Sequence, residues 1–182
     1  MVAEKRLLTA DDVWNMGEDT HVELVRGELR EMAAAGGRHG RVGGRFAGEL
    51  YRYGQDTGSG DVYTSETGFI IERSPTTLLV PDVVFVKTEH LPSATDPIGF
   101  FEIPPDVAVE VLSPSQGFGE LVEKVAQYLK FGVPLVWVAN PADKTIIAFY
   151  ADGRVRVYRS GDDLDGGDVL PGFRVPVDHF FP

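Results

Sequence analysis

Two acidic residues, Asp82 and Glu110, interrupt stretches of the chain that are otherwise apolar. In an extended strand Asp82 shares its face with valines, and Glu110 shares its face with Ala108 and Leu112. Burying an ionised carboxylate costs several kcal/mol unless a cation or hydrogen bonds compensate. Two such residues together therefore predict a shared counter-charge, for which a divalent metal ion is the simplest choice.

Each acid also has an alternative interpretation, in which it ends a strand and reaches solvent or pairs with an arginine. However, Pro81 and Ser113-Pro114 place both acids near interruptions of the sheet, where functional sites tend to form. Carboxylate oxygens suit Mg²⁺ or Mn²⁺ better than zinc. A zinc enzyme is disfavoured, because the chain has no cysteine and its four histidines show no metal-ligand spacing.

The elements that must position these acids show both helical and extended periodicity. Apolar spacing predicts a short helix begun by the capping box Thr9–Asp12, a helix from the Gly36-Gly37 break through about Tyr53, and a helix over 119–131. The pattern also predicts strands over 61–65, 68–72, 78–87, 106–112 and 135–139, with hairpins over 21–32 and 144–158. Residues 90–105 are expected to form a loop, and 168–182 to pack along the sheet edge.

A helix between two strands over 106–139 predicts a crossover connection within a mixed sheet. The expected fold class is therefore α/β or α+β, with a mixed central sheet flanked by helices and additional hairpins. The length of 182 residues with 43% apolar content predicts a single domain over 1–182. The charged N-terminus and the absence of a stretch of about 18 apolar residues predict a cytoplasmic protein with no membrane segment.

The charge balance opposes binding of a polyanion. The net charge is −11, with 28 acidic and 17 basic side chains, which repels nucleic acid at long range. Basic residues are nevertheless concentrated between positions 26 and 52. They form either a positive face or a solvated surface that balances acids elsewhere; they are Arg26, Arg30, Arg38, Arg41, Arg45 and Arg52.

A series of short motifs extends from about Leu8 to Phe181 and, taken together, resembles a known family. The motifs are Val22–Leu29 (VELVRGEL), Arg38-His39, Val80–Val86 (VPDVVFV), Val109–Ser115 (VEVLSPS), Glu123-Lys124 with Tyr128, Gly132–Trp137 and Val169–Phe173. They resemble the bacterial putative restriction-endonuclease-like family, an uncharacterised-domain branch of the PD-(D/E)XK nuclease superfamily. The resemblance implies a restriction-endonuclease-like core in which Asp82 and Glu110 are the two acids of the site.

The resemblance also implies how the site is completed. The superfamily pattern places a lysine two residues after the second acid, but that position is Leu112 here, and Lys124 on the following helix is the matching residue. Glu23 resembles an additional metal-binding acid, and His39 a secondary acid/base group near the phosphate. For each of these three residues an ordinary structural role is the alternative: a helix lysine paired with Glu120, a hairpin glutamate, and an exposed histidine at a helix start.

The activity implied is hydrolysis of phosphodiester bonds in nucleic acid, with DNA as the expected substrate. Asp82, Glu110 and the Val111 carbonyl would hold one or two Mg²⁺ (or Mn²⁺) ions, and Lys124 would orient or deprotonate the attacking water. A homodimer is expected, because two-fold dimers are the commonest oligomers and a duplex has two strands. Two other functions stay open: an inactive nuclease-fold module for oligomerisation or binding, and a carboxylate-pair glycosidase that would work in EDTA.

Overall fold

The computed structural model describes residues 6–17, 20–32, 34–92, 99–114 and 117–181. Its helices are α1 (Ala10–Trp14), α2 (Gly37–Thr57), α3 (Phe118–Phe131) and α4 (Val177–Phe180), with a 3-10 turn at Thr88–His90. Its strands are β1 (Val22–Val25), β2 (Glu28–Glu31), β3 (Gly60–Thr64), β4 (Phe69–Arg73), β5 (Thr76–Leu79), β6 (Val83–Lys87), β7 (Val107–Val111), β8 (Leu135–Asn140), β9 (Thr145–Tyr150), β10 (Val155–Tyr158), β11 (Asp163–Gly166) and β12 (Leu170–Pro176).

A six-stranded mixed sheet forms the centre, in the order β10-β9-β8-β7-β6-β3. The neighbours β7 and β8 are parallel, because α3 connects them as a crossover, whereas the other pairs are antiparallel. Strand β8 is buried on both faces, which its uninterrupted apolar sequence predicted. The fold class expected from the sequence, a mixed sheet with flanking helices and added hairpins, is confirmed.

One face of the central sheet is covered by α2 together with the C-terminal segment. The rings of Phe46 in α2 and Phe180 in α4 stack with their centroids 4.1 Å apart, and Trp137 of β8 lies beneath Phe46. The sequence-based expectation that residues 168–182 pack along a sheet edge was therefore wrong. Within this segment, Leu170–Pro176 form β12 and Val177–Phe180 form α4, and they bury apolar side chains on the face of the sheet, because that face would otherwise be open to water beside α2.

The opposite face is covered by α3 and by a second, four-stranded antiparallel sheet in the order β2-β1-β5-β4. The predicted N-terminal hairpin forms with its turn at Arg26-Gly27, whose φ angles of 52° and 77° match the type I′ turn that suits a two-residue hairpin. Helix α1 starts with the expected capping box, in which Thr9 and Asp12 exchange hydrogen bonds. It packs on the outer face of this second sheet.

The predicted strand over 78–87 is in fact two strands in two different sheets. β5 ends at Leu79 and pairs with β1 and β4, whereas β6 starts at Val83 and pairs with β3 and β7. The break falls at Val80-Pro81-Asp82, where proline has no N–H for a strand ladder. The expectation that Asp82 lies within a strand was therefore wrong. Asp82 precedes β6, and its side chain does not belong to either face of the central sheet.

Two parts of the sequence prediction fall partly on residues that are not described. The loop expected over 90–105 includes residues 93–98, and the motif around Glu110 includes Ser115; these lie outside the described ranges. Within those ranges, no helix has the length and apolar character required to cross a bilayer.

The position of α4 in the core gives a stability prediction. Phe180→Ala removes a fully buried ring stacked on Phe46, so the free energy of unfolding should fall by about 3–5 kcal/mol. Urea unfolding followed by circular dichroism measures this change. Val155→Ala, at a 57% exposed position of β10, is the control and should stay within about 0.5 kcal/mol of the parent protein. Equal effects of the two substitutions would show that the C-terminal segment does not belong to the core.

Candidate active site

Asp82 is held where the two sheets separate. Strands β6 and β7 pair with Val83 opposite Val109, so Asp82, one residue before β6, comes next to the end of β7. The backbone N–H of Val111 donates a 2.7 Å hydrogen bond to Asp82 Oδ2. The carboxylate is therefore fixed against the sheet, with 14% of its side chain exposed.

Glu110 is the charged residue in the middle of β7, and it is 4% exposed. It lies on the α3 side with Ala108, while Val109 and Val111 belong to the apolar cluster on the other side. This alternation is the one that the sequence predicted. Because the side chain points under α3, the residues that compensate its charge must come from that helix.

Lys124 of α3 provides that compensation. Its Nζ lies 3.0 Å from both carboxylate oxygens of Glu110 and 2.9 Å from Glu23 Oε1. Glu23 reaches this point from β1, and its Oε1 also accepts a 2.8 Å hydrogen bond from the Val80 N–H. The alternative of a solvated lysine paired with Glu120 is not what the structure shows, because the Lys124 side chain is only 13% exposed.

His39 joins the site from the first turn of α2. Its Nε2 lies 3.2 Å from Asp82 Oδ2, and the ring is mostly buried instead of exposed at the helix start. The hydrogen bond with Asp82 raises the pKa of His39, more than burial lowers it, and a hydrogen bond with the Val111 backbone adds to the increase. The structure therefore brings together all the side chains that the sequence suggested: Glu23, His39, Asp82, Glu110 and Lys124.

Tyr128 also belongs to the site, although its position on an apolar helix face predicts a core residue. The side chain is fully buried one turn after Lys124, and its hydroxyl donates a 2.7 Å hydrogen bond to Glu110 Oε1. Burial, followed by the nearby carboxylates, raises the pKa of Tyr128 well above its ordinary value, so the hydroxyl stays protonated and donates. The i, i+4 spacing from Lys124 was the signal available in the sequence, but an apolar helix face explained it equally well.

Burial determines the electrostatics of the centre. It raises the pKa of Glu110 to about 7, against the lowering effect of Lys124, and Asp82 and Glu23 add to the rise. Burial alone would lower the pKa of Lys124, but Glu110 and Glu23 outweigh it and raise the pKa above the ordinary value. At neutral pH Lys124 is thus an ammonium ion, whereas Glu110 exchanges its proton near neutrality.

The donor chemistry of the centre fits a divalent cation. Glu23, Asp82 and Glu110 supply hard oxygen ligands, and an ammonium group already sits between two of them. Within the described residues, however, no group of three or more Asp, Glu, His or Cys side chains stands in a metal-holding arrangement. A metal ion would therefore require these side chains to move closer, with Lys124 withdrawing from between Glu23 and Glu110. The predicted role of the Val111 carbonyl stays a prediction; the structure shows the Val111 N–H bound to Asp82.

The arginines between positions 26 and 52 separate into two groups. Arg30 and Arg45 contact other parts of the protein, and Arg52 pairs with Glu49 of the same helix. Arg26, Arg38 and Arg41 are exposed and form no ion pair with the described residues; Arg38 and Arg41 lie on α2, on either side of His39 in the sequence. Half of the six arginines are therefore engaged by other groups, and any positive face beside the site is small.

Comparisons with known proteins identify the family and the fold. A family model named Uma2, with the description "Putative restriction endonuclease", matches residues 8–178. Among solved structures, a putative nuclease belonging to DUF820 from Anabaena variabilis ATCC 29413 superposes with a TM-score of 0.84. The alignment covers 96% of this chain and 97% of that protein at 16% sequence identity, which establishes a common fold. No curated protein matches significantly.

The raised pKa of Glu110 predicts how the metal-free protein responds to pH. The unfolded chain releases this proton near the ordinary glutamate pKa and the folded protein near pH 7, so the unfolded state is favoured increasingly between these values. His39, also raised, acts in the same direction at slightly higher pH. Thermal unfolding in EDTA should therefore show a melting temperature that falls from pH 5 to pH 8. Glu110→Gln should reduce that fall, and identical pH profiles for the two proteins would contradict a buried, titrating Glu110.

Proposed function

Because the chain belongs to the Uma2 family, described as "Putative restriction endonuclease", we propose that it is a Mg²⁺-dependent nuclease that hydrolyses phosphodiester bonds of DNA. One observation carries the proposal. Lys124 of α3 bridges Glu110 of β7 and Glu23 of β1 at a buried point, and the Asp82 carboxylate, one residue before β6, is held nearby by the N–H of Val111, the residue after Glu110. Such a concentration of buried charge is costly for stability, so a function that needs a bound cation best explains it.

Glu23, Asp82 and Glu110 are the residues that would hold the metal ion. When bound, the ion supplies Lewis-acid stabilisation of the charge that develops on the phosphate. The carboxylate of Asp82 is oriented for this purpose by the Val111 N–H, and that of Glu110 by the Tyr128 hydroxyl. These hydrogen bonds orient the two carboxylates in the metal-free protein, and the side chains would then move closer together when the ion binds.

Lys124 acts as a positive charge and not as a base. Its raised pKa keeps it protonated at neutral pH, which leaves electrostatic stabilisation and orientation of the attacking water as its roles. His39 would hold a proton at Nε2, which faces Asp82, and give it to the leaving 3′ oxygen; the hydrogen bond with Asp82 raises the pKa of His39 and so favours this role. Cleavage in this direction gives a 5′-phosphate and a 3′-hydroxyl.

A homodimer acting on cytoplasmic DNA completes the proposal. A two-fold dimer would offer one site to each strand of a duplex. Multi-angle light scattering of the purified protein, with and without DNA, determines the oligomeric state directly.

The lysine provides the sharpest test of the activity. Lys124→Ala should reduce cleavage of plasmid and single-stranded DNA by about 10²–10³-fold, because it removes one preorganised charge from the site. Lys130→Ala, a 79% exposed lysine later on the same helix, should cleave like the parent protein. Gel assays with Mg²⁺ or Mn²⁺ measure both variants, and EDTA should abolish the activity. Full cleavage by Lys124→Ala would remove the lysine from the proposed mechanism.

Calorimetry separates an active nuclease from an inactive module of the same fold. Mg²⁺ binding should be measurable on the wild type and lost in Asp82→Ala, because that substitution removes a ligand. An equal heat signal for both proteins, or none for either, would support the non-enzymatic alternative. Hydrolysis of a glycoside substrate that persists in EDTA would instead support a carboxylate-pair glycosidase.

A further inference from the structure

A cavity of about 430 Å³ lies beside the carboxylate centre, at the end of the second sheet. Two residues connect the cavity with the centre. Val80 lines the cavity, while its N–H donates to Glu23 Oε1. Val22 also lines the cavity, and the next residue of β1, Glu23, binds Lys124 on the other face of the strand. The cavity and the centre are therefore separated by a single strand end.

An aromatic wall bounds this cavity. Trp14 and Phe100 both line it, and their rings meet edge to face with centroids 5.4 Å apart. Trp14 is 52% exposed, in contrast to Trp137, which is fully buried in the core. A large aromatic face presented to solvent at a cavity is typical of a surface on which a planar ligand stacks.

Four polar residues that line the cavity can form hydrogen bonds with the edge of such a ligand. Thr20, His21, Ser65 and Glu66 line the same cavity, with hydroxyl, imidazole and carboxylate groups. Together they offer hydrogen-bond donors as well as acceptors. An exposed indole with both kinds of polar group beside it fits a heterocyclic base, which can stack on the ring and form hydrogen bonds at its edge, whereas an aliphatic chain would leave the polar groups unpaired. The volume lies within the range of small-ligand pockets.

The negative net charge of the protein favours contacts with the uncharged bases of a nucleic acid over contacts with its phosphates. With a net charge of −11, the protein gains little from long-range attraction to phosphates, and Lys124 is already engaged by two carboxylates. A nucleobase is uncharged, and stacking on an aromatic side chain contributes about 1–3 kcal/mol per base whatever the charge of the protein.

We propose that this cavity binds one nucleobase of the strand whose phosphodiester bond lies at the carboxylate centre. The proposal rests on the proposed nuclease function and specifies its substrate: a base in the cavity cannot at the same time be stacked in a duplex. The protein therefore acts on single-stranded DNA or on a nucleotide turned out of its helix, for which unstacking costs a few kcal/mol.

Fluorescence of the wild-type protein tests the proposal, because Trp14 is the tryptophan that a ligand can reach. In EDTA, a mixed-sequence single-stranded decamer should quench the emission saturably. A decamer of the same length and charge made only of abasic nucleotides should not. With fluorescein-labelled decamer, anisotropy should show Trp14→Ala binding about 5- to 150-fold more weakly, the loss expected for one stacked base. Thr20→Phe, which fills the cavity and keeps Trp14, should weaken binding as well.

Tyr51→Ala is the matched control, because Tyr51 is a 57% exposed aromatic residue on α2 that does not line the cavity. It should bind like the wild type. Equal binding of the abasic decamer, or unchanged affinity in both Trp14→Ala and Thr20→Phe, would overturn the proposal. Cleavage assays keep the two hypotheses distinguishable: cleavage without base-dependent binding refutes only the base pocket, and base-dependent quenching without cleavage refutes only the nuclease activity.

Discussion

The salt bridge of Lys124 with Glu110 and Glu23 is the interaction on which the arrangement of the site depends. It joins α3 to β7 of the central sheet and to β1 of the second sheet, at a point almost closed to water. Removing the ammonium would leave two buried carboxylates facing each other, which costs more than the loss of any exposed ion pair. The two sheets are therefore held together at the site by charge, whereas elsewhere the contact between them is apolar.

This interaction also shows where sequence reasoning works and where it stops. Glu110 could be assigned to its face of β7 because a strand has a fixed period of two, and its apolar neighbours determine the pattern. Lys124 could not be assigned from periodicity, since a lysine at the edge of a helix has a local partner, Glu120, in the same sequence. Only the family resemblance favoured the inward position, because the partners Glu23 and Glu110 come from distant parts of the chain.

Two errors in the predicted elements have related physical causes. Residues 78–87 have the composition of one strand, but Pro81 interrupts the ladder and lets the chain change from the second sheet to the central one. The C-terminal segment has apolar residues at alternating positions from Phe173 to Val177, a strand pattern that the sequence interpretation did not use, and the tertiary structure places this apolar side beside α2 on the sheet face. The first error matters for function, because the change between sheets is what places Asp82 beside the end of β7.

The same change of sheets explains why a base pocket would occur next to this centre. Val80 ends the second sheet and Asp82 begins the approach to the central one, so a single turn of chain contributes to the cavity wall and to the carboxylate cluster. A nucleotide has two matching parts: an aromatic base, which would enter the cavity, and an anionic phosphate, which would lie at the carboxylate cluster. In the proposed complex, stacking would provide affinity without charge, and the carboxylates would hold the cation that offsets the phosphate charge. An acidic protein would in this way offset part of the repulsion of a polyanion without a basic surface, because stacking does not depend on charge.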